Sequence, residues 1–167
     1  MKNKFTTTVM GPESPGIIKS LAEASRQLGG EWLTSKVMKL EGRFTAMMQV
    51  TVDEDLEVLF KETMVDKFSD LDFFYSDASA REGGHAKRVS LVVDCKDRSG
   101  LTRDISNILY NLDIIVEQMD CNRFPVTPLG EAVFSAKLTL AVDESMSAEA
   151  IAEEIETLSE DTRVSVV

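Results

Sequence analysis

Cys95, Cys121 and His85 are the only cysteines and the only histidine in the 167 residues. A structural zinc site takes about four such ligands, and a thiol nucleophile needs a positioned histidine as its base. The two cysteines form no Cys-x-x-Cys pair, and His85 sits in REGGHAKR, a stretch that reads as a linker. Both cysteines are therefore read as small apolar residues with free thiols. Asp94, Asp97, Asp113 and Asp120 are candidates for acid–base work or for holding a hard metal. They fall at a strand end, in a loop, at a helix end and in a strand, which makes them solvated charge. Neither Gly-x-x-x-x-Gly-Lys-[Ser/Thr] nor Gly-x-Gly-x-x-Gly occurs. No cofactor is expected.

What remains is backbone chemistry. GPESPG, Gly11 to Gly16, follows a β-branched run and precedes an apolar helical pattern. A glycine turn at a helix N-terminus leaves N–H groups free for a small anion. The helix dipole adds roughly 0.3–1 kcal/mol for a carboxylate at an exposed site. DRSG, Asp97 to Gly100, repeats the arrangement. Ser14 in the first loop and Asp97 or Ser99 in the second are candidate caps, and Pro15 suits the first helical position. Gly16 and Gly100 let the backbone pass close to a neighbour.

These turns are held by a repeated frame. Gly16 falls on Gly100 at an offset of 84, and Ile17, Leu21, Ala24, Leu28 fall on Leu101, Ile105, Ile108, Leu112. Each set traces one face of an amphipathic helix. FTAMMQVTVDE from Phe44 matches FSAKLTLAVDE from Phe134 at an offset of 90, so the second copy carries six more residues, placed in NRFPVTPLGE. Alternating apolar residues in both blocks predict strands with one buried face. Asp53 and Asp143 are candidate helix caps. Trp32 to Leu40 and Ile114 to Phe124 read as strands, Leu56 to Phe68 and Ser147 to Leu158 as helices, and LDFFYS and TRVSVV as closing strands.

Each copy is thus β-α-β-β-α-β. The class is α+β: two ferredoxin-like domains, each an antiparallel sheet in the order 4-1-3-2 with both helices on one face. The boundaries read 1–77 and 88–167, with a polar, glycine-rich linker at 78–87.

Acidic residues number 29 against 18 basic ones, a net charge of −11. Such a surface repels phosphate backbones, so direct nucleic-acid binding is not expected. No apolar run approaches a membrane span, and Met1 to Phe5 does not open a signal peptide. A cytoplasmic protein away from membranes is the expectation.

Acid-x-x-Gly after the first strand, inside a tandem β-α-β-β-α-β pair, resembles the ACT domain, a small-molecule regulatory module. The usual loop of that family is Asp-Arg-Pro-Gly. This chain has Glu13-Ser14-Pro15-Gly16 and Asp97-Arg98-Ser99-Gly100, so the first copy keeps the Pro and the second keeps the Arg. The resemblance implies ligand-binding residues at Glu13, Ser14, Pro15, Gly16 and Ile17, and at Asp97, Arg98, Ser99, Gly100 and Leu101. Many amino-acid-binding members place an Asn at the start of strand 2. Here those positions carry Glu31, an acceptor for an amino group, and Ile115, which offers no polar contact. A two-domain chain of this kind is similar to bacterial glycine cleavage repressors. That implies a non-enzymatic sensor of a small amino acid such as glycine, with a transcriptional activator as protein partner and a homo-oligomeric state. The other function class is an allosteric subunit of an amino-acid metabolic enzyme.

Overall fold

The computed structural model describes residues 1–78, 87–126, 128 and 130–167. His85 and most of the expected linker lie outside the described residues. The chain divides into two units, Met1–Arg81 and Glu82–Val167.

The first unit runs β1 (Lys2–Pro12), α1 (Ile17–Gln27), β2 (Glu31–Leu40), β3 (Arg43–Asp53), α2 (Glu57–Lys67) and β4 (Asp72–Asp77). The second repeats the order: β5 (Lys87–Lys96), α3 (Leu101–Asn111), β6 (Ile115–Val126), β7 (Glu131–Val142), α4 (Ala148–Glu156) and β8 (Arg163–Val166). The sheets are ordered β2-β3-β1-β4 and β6-β7-β5-β8, and all their pairings are antiparallel. This is the expected 4-1-3-2 order.

The alternating residues close the cores. Phe44, Ala46, Met48, Val50 and Val52 are buried on β3, as are Phe134, Ala136, Leu138, Leu140 and Val142 on β7. Each large apolar side chain so buried is worth about 1.5–3 kcal/mol. The helices complete each core with Leu21 and Ala24 from α1, Phe60 and Met64 from α2, Leu101, Ile105 and Leu109 from α3, and Ile151 and Ile155 from α4. Gly11 pairs with Phe44, and Cys95 with Phe134. The strand registers therefore superpose the two copies as the sequence offsets require.

The longer hairpin lies where expected: the β2–β3 hairpin turns on Glu41 and Gly42, while β6 runs on to Val126 and β7 begins at Glu131. Both second strands also share an irregularity, between Trp32 and Thr34 and between Val116 and Gln118, that places an extra residue at Leu33 and Glu117.

Two expected caps are corrected. Asp53 makes no side-chain cap bond, because a 3-10 turn over Glu54–Leu56 separates it from α2. Asp143 accepts from the Ser145 N–H at 2.9 Å, and Ser147 instead caps α4 by accepting from the Ala150 N–H at 3.1 Å.

Candidate functional site: the strand-to-helix loops

Between β1 and α1 the chain makes a tight turn. The Ile17 N–H donates to the Ser14 carbonyl at 3.2 Å, and Gly16 sits at φ 76°, ψ 9°. A type II turn wants Pro at its second position and φ > 0 at its third, and Pro15 and Gly16 supply both. Pro15 therefore belongs to the turn and not to the first helical position. Gly100 has the same conformation, φ 85°, ψ 5°. Neither Ser14, Asp97 nor Ser99 caps a helix, since α1 and α3 both begin without a side-chain cap bond. Their N-cap residues are the glycines, which have no side chain to offer.

The acids of the two loops have the same partners. Glu13 pairs with Lys39 at 2.5 Å and Asp97 with Arg123 at 2.9 Å. The Glu13 N–H donates to the Gly42 carbonyl and the Asp97 N–H to the Ala132 carbonyl, at 2.9 and 2.8 Å. In each copy the acidic residue thus fastens the loop to the neighbouring hairpin through both side chain and backbone. Ion pairs this exposed contribute about 0–1 kcal/mol, so their main effect is to fix the loop's position. In the second loop Arg98 reaches Asp104 at 2.9 Å and the Ser99 carbonyl at 3.2 Å, and Arg103 adds a contact to Asp104 at 3.1 Å. The Arg98 and Arg103 guanidiniums hold the Asp104 carboxyl below the usual carboxylate range.

A cleft of about 190 Å³ opens beside the first loop. Pro12, Glu13, Ser14 and Ile17 form one wall, and the other is Lys67 to Leu71, the connection from α2 to β4. The strand order accounts for it: β4 is antiparallel to β1, with Asp72 opposite Met10, so its start lies beside the end of β1. Gly11 is needed here for close approach, because a Cβ on it would meet Leu71 Cδ2 at 2.5 Å and the Asp70 carbonyl at 3.1 Å. The cleft combines carboxylates at Glu13 and Asp70, a cation at Lys67 and hydroxyls at Ser14 and Ser69. That set suits a small zwitterion.

Residues 4–72 match the family profile of the ACT domain. The match takes in most of the first unit. No sequence relative is found among the curated proteins. Among solved structures, a protein of unknown function from Galdieria sulphuraria superposes with a TM-score of 0.84 at 15% identity, covering 100% of this chain and 99% of that one. A protein assigned as a candidate glycine cleavage system transcriptional repressor superposes at 0.75 with 19% identity, covering 100% and 97%. At these identities the likeness is one of fold. It extends over both units, and the second repeats the topology of the first.

The other expected site residue of the first unit lies apart from its loop. Glu31 pairs across to Thr51, whereas the loop end of β1 pairs with Arg43. Eight residues of strand separate those ends, roughly 25 Å. Glu31 instead lines a separate cavity of about 450 Å³ with Ala22, Arg26, Gly30 and Trp32, and sits 3.8 Å from Lys2. Ile115 is likewise at the far end of its sheet, opposite Ala141. Within one unit, the strand-2 position and the loop do not form one site. Trp32 packs, donating its indole N–H to the buried Ser25 hydroxyl at 2.9 Å. Lys67, Ser69 and Asp70 were not read from the sequence as site residues, although the 4-1-3-2 strand order already places their loop beside Glu13. Cys95 is buried and Cys121 half-buried, both free thiols. Among the described residues no cluster of His, Cys, Asp or Glu fits a metal ion, and no helix is long and apolar enough to cross a membrane.

Proposed function

We propose that the chain is a non-enzymatic regulator that senses a small amino acid in the cleft beside Glu13 and relays its occupancy to a protein partner. The cleft carries the reading. It is of small-metabolite size, it holds both charges a zwitterion needs, and it adjoins a helix start whose N–H groups have no side-chain cap. In this reading Lys67 and the first-turn N–H groups of α1 take the carboxylate, while Glu13 and Asp70 take the ammonium. Pro15 and Gly16 shape the turn without touching the ligand. In the second unit, Asp97, Arg98, Ser99, Gly100 and Leu101 form the corresponding loop, with Arg98 already engaged by Asp104. The name of one structural neighbour directs the reading toward transcriptional control of a glycine cleavage system, with glycine the first ligand to test. The charge of −11 favours action through a protein over action on DNA.

The test is a thermal-melt and calorimetry screen of the full chain against glycine and the other common amino acids. A ligand at 100 times its dissociation constant adds about 2.7 kcal/mol of stability, and Lys67→Met removes that gain while leaving the ligand-free melt in place. If no amino acid stabilises the wild type at millimolar concentration, the sensor reading fails. Recovery of a DNA-binding activator with the chain supports the transcriptional role, whereas recovery of a metabolic enzyme favours the allosteric-subunit class.

A further inference from the structure

The sheet of the first unit has a face turned away from its helices, and the strand registers lay that face out as a grid. In one row across β2, β3, β1 and β4 stand Met38, Thr45, Met10 and Asp72; in the next stand Lys36, Met47, Thr8 and Phe74. The four large apolar residues alternate between the rows and zigzag across all four strands. They are exposed: Met38 by 60%, Met47 by 54%, Phe74 by 57% and Met10 by 39%. The fold does not demand this. At the equivalent places in the second unit stand Asn122, Lys137, Ser165 and Asp94. The second unit keeps these four positions polar, while the first has made them apolar and adaptable.

We propose that this face is a homodimer interface, covered by the same face of a second copy about a two-fold axis parallel to the strands and between β3 and β1. That operation exchanges β2 with β4 and β3 with β1 while keeping each row in register. Met47 then lies over Thr8 of the second copy, and Met10 over Thr45. Large side chains thus meet small ones, as interdigitating sheet faces require. The charges at the row ends match as well. Lys36 on the β2 edge lies over Phe74 on the β4 edge of the second copy, giving a cation–π contact, and one row away is Asp72, opposite Met38, within reach of an ion pair with Lys36; each contact is made twice by symmetry. The second unit's outer face is the wrong occupant. It carries Asp120 and Arg163 at the places of Lys36 and Asp72, so the same pairing would set like charges together. The area suffices. Three strands of roughly 33–36 Å and the six-residue β4 of about 20 Å, about 4.8 Å apart, present roughly 600 Å² per copy, and two such faces reach the lower range of stable interfaces, about 1,200 Å² in total.

The experiment is sedimentation velocity of the full chain over a concentration series. The wild type is expected to form a reversible dimer. Met47→Glu and Lys36→Glu each raise the dimer dissociation constant at least about tenfold. Lys36→Glu combined with Asp72→Lys returns it to within about threefold of the wild type, because the ion pair is re-formed with reversed sign. All three positions are exposed, so the melts of the variants stay at the wild-type temperature under conditions where the chain is monomeric. A wild type that is monomeric throughout overturns the proposal. So does a dimer indifferent to Met47→Glu and Lys36→Glu, or a double variant no tighter than Lys36→Glu alone.

Discussion

Gly16 and Gly100 are glycine because of their backbone angles, whatever the loops bind. Both sit at φ near +80°, in the left-handed region, where a side chain costs about 1–2 kcal/mol. A bulky substitution at either would therefore lower stability with or without a ligand, which makes Lys67 the cleaner probe of the cleft. The sequence made the glycines and the acids of the loops legible by repetition. It did not make legible what the acids hold, because Lys39 and Arg123 lie 26 residues further on and are joined to them only by strand pairing. Thr7 is another residue that periodicity does not explain. It is buried on the core face of β1, and its hydroxyl has no hydrogen-bond partner, whereas the second copy has Leu91 there. Removing an unsatisfied buried hydroxyl recovers its desolvation cost. Thr7→Val is expected to stabilise the first unit by about 1 kcal/mol, seen as a rise in urea midpoint at unchanged m-value. A fall in the midpoint would mean that the hydroxyl has a partner in solution.

At the scale of elements, the best-read segments were those with the cleanest period. β3 and β7 alternate along their length, and every residue assigned to their inner faces is buried. The stripes of α1 and α3 were nearly right, but Leu109 joins the core while Leu112 is only half-buried. The second strands were found by position, since β2 is almost wholly exposed and its extra residue breaks the alternation. Helix starts were read least well. Asp143 has the right chemistry for a cap, yet the chain runs four residues further before turning helical, and the role falls to Ser147. Ser147→Ala is expected to cost about 1 kcal/mol, whereas Ser147→Asp should leave the urea midpoint close to wild type. An alanine variant as stable as the wild type would show that the cap bond is not formed in solution.

At the scale of the whole molecule, each unit has its own core, and the two clusters of buried residues share no member. Units of about 80 residues built this way can fold alone, though with modest stability. Residues 1–78 and 87–167, expressed separately, are each expected to melt cooperatively by circular dichroism. If either half is unfolded alone, its stability depends on the rest of the chain. The duplication was the most legible fact in the sequence because both copies keep their buried patterns. The difference between their outer sheet faces was not, because exposed positions carry no period and acquire meaning only once the registers fix which residues are equivalent.

The two thiols lead somewhere else. Burial pushes both Cys95 and Cys121 above the ordinary range, so little thiolate forms near neutral pH, and it is the thiolate that reacts. Maleimide reagents will therefore modify the native thiols more slowly than an exposed cysteine. A single cysteine introduced at an exposed helix position such as Lys19 would take up a fluorophore in preference to the natural pair.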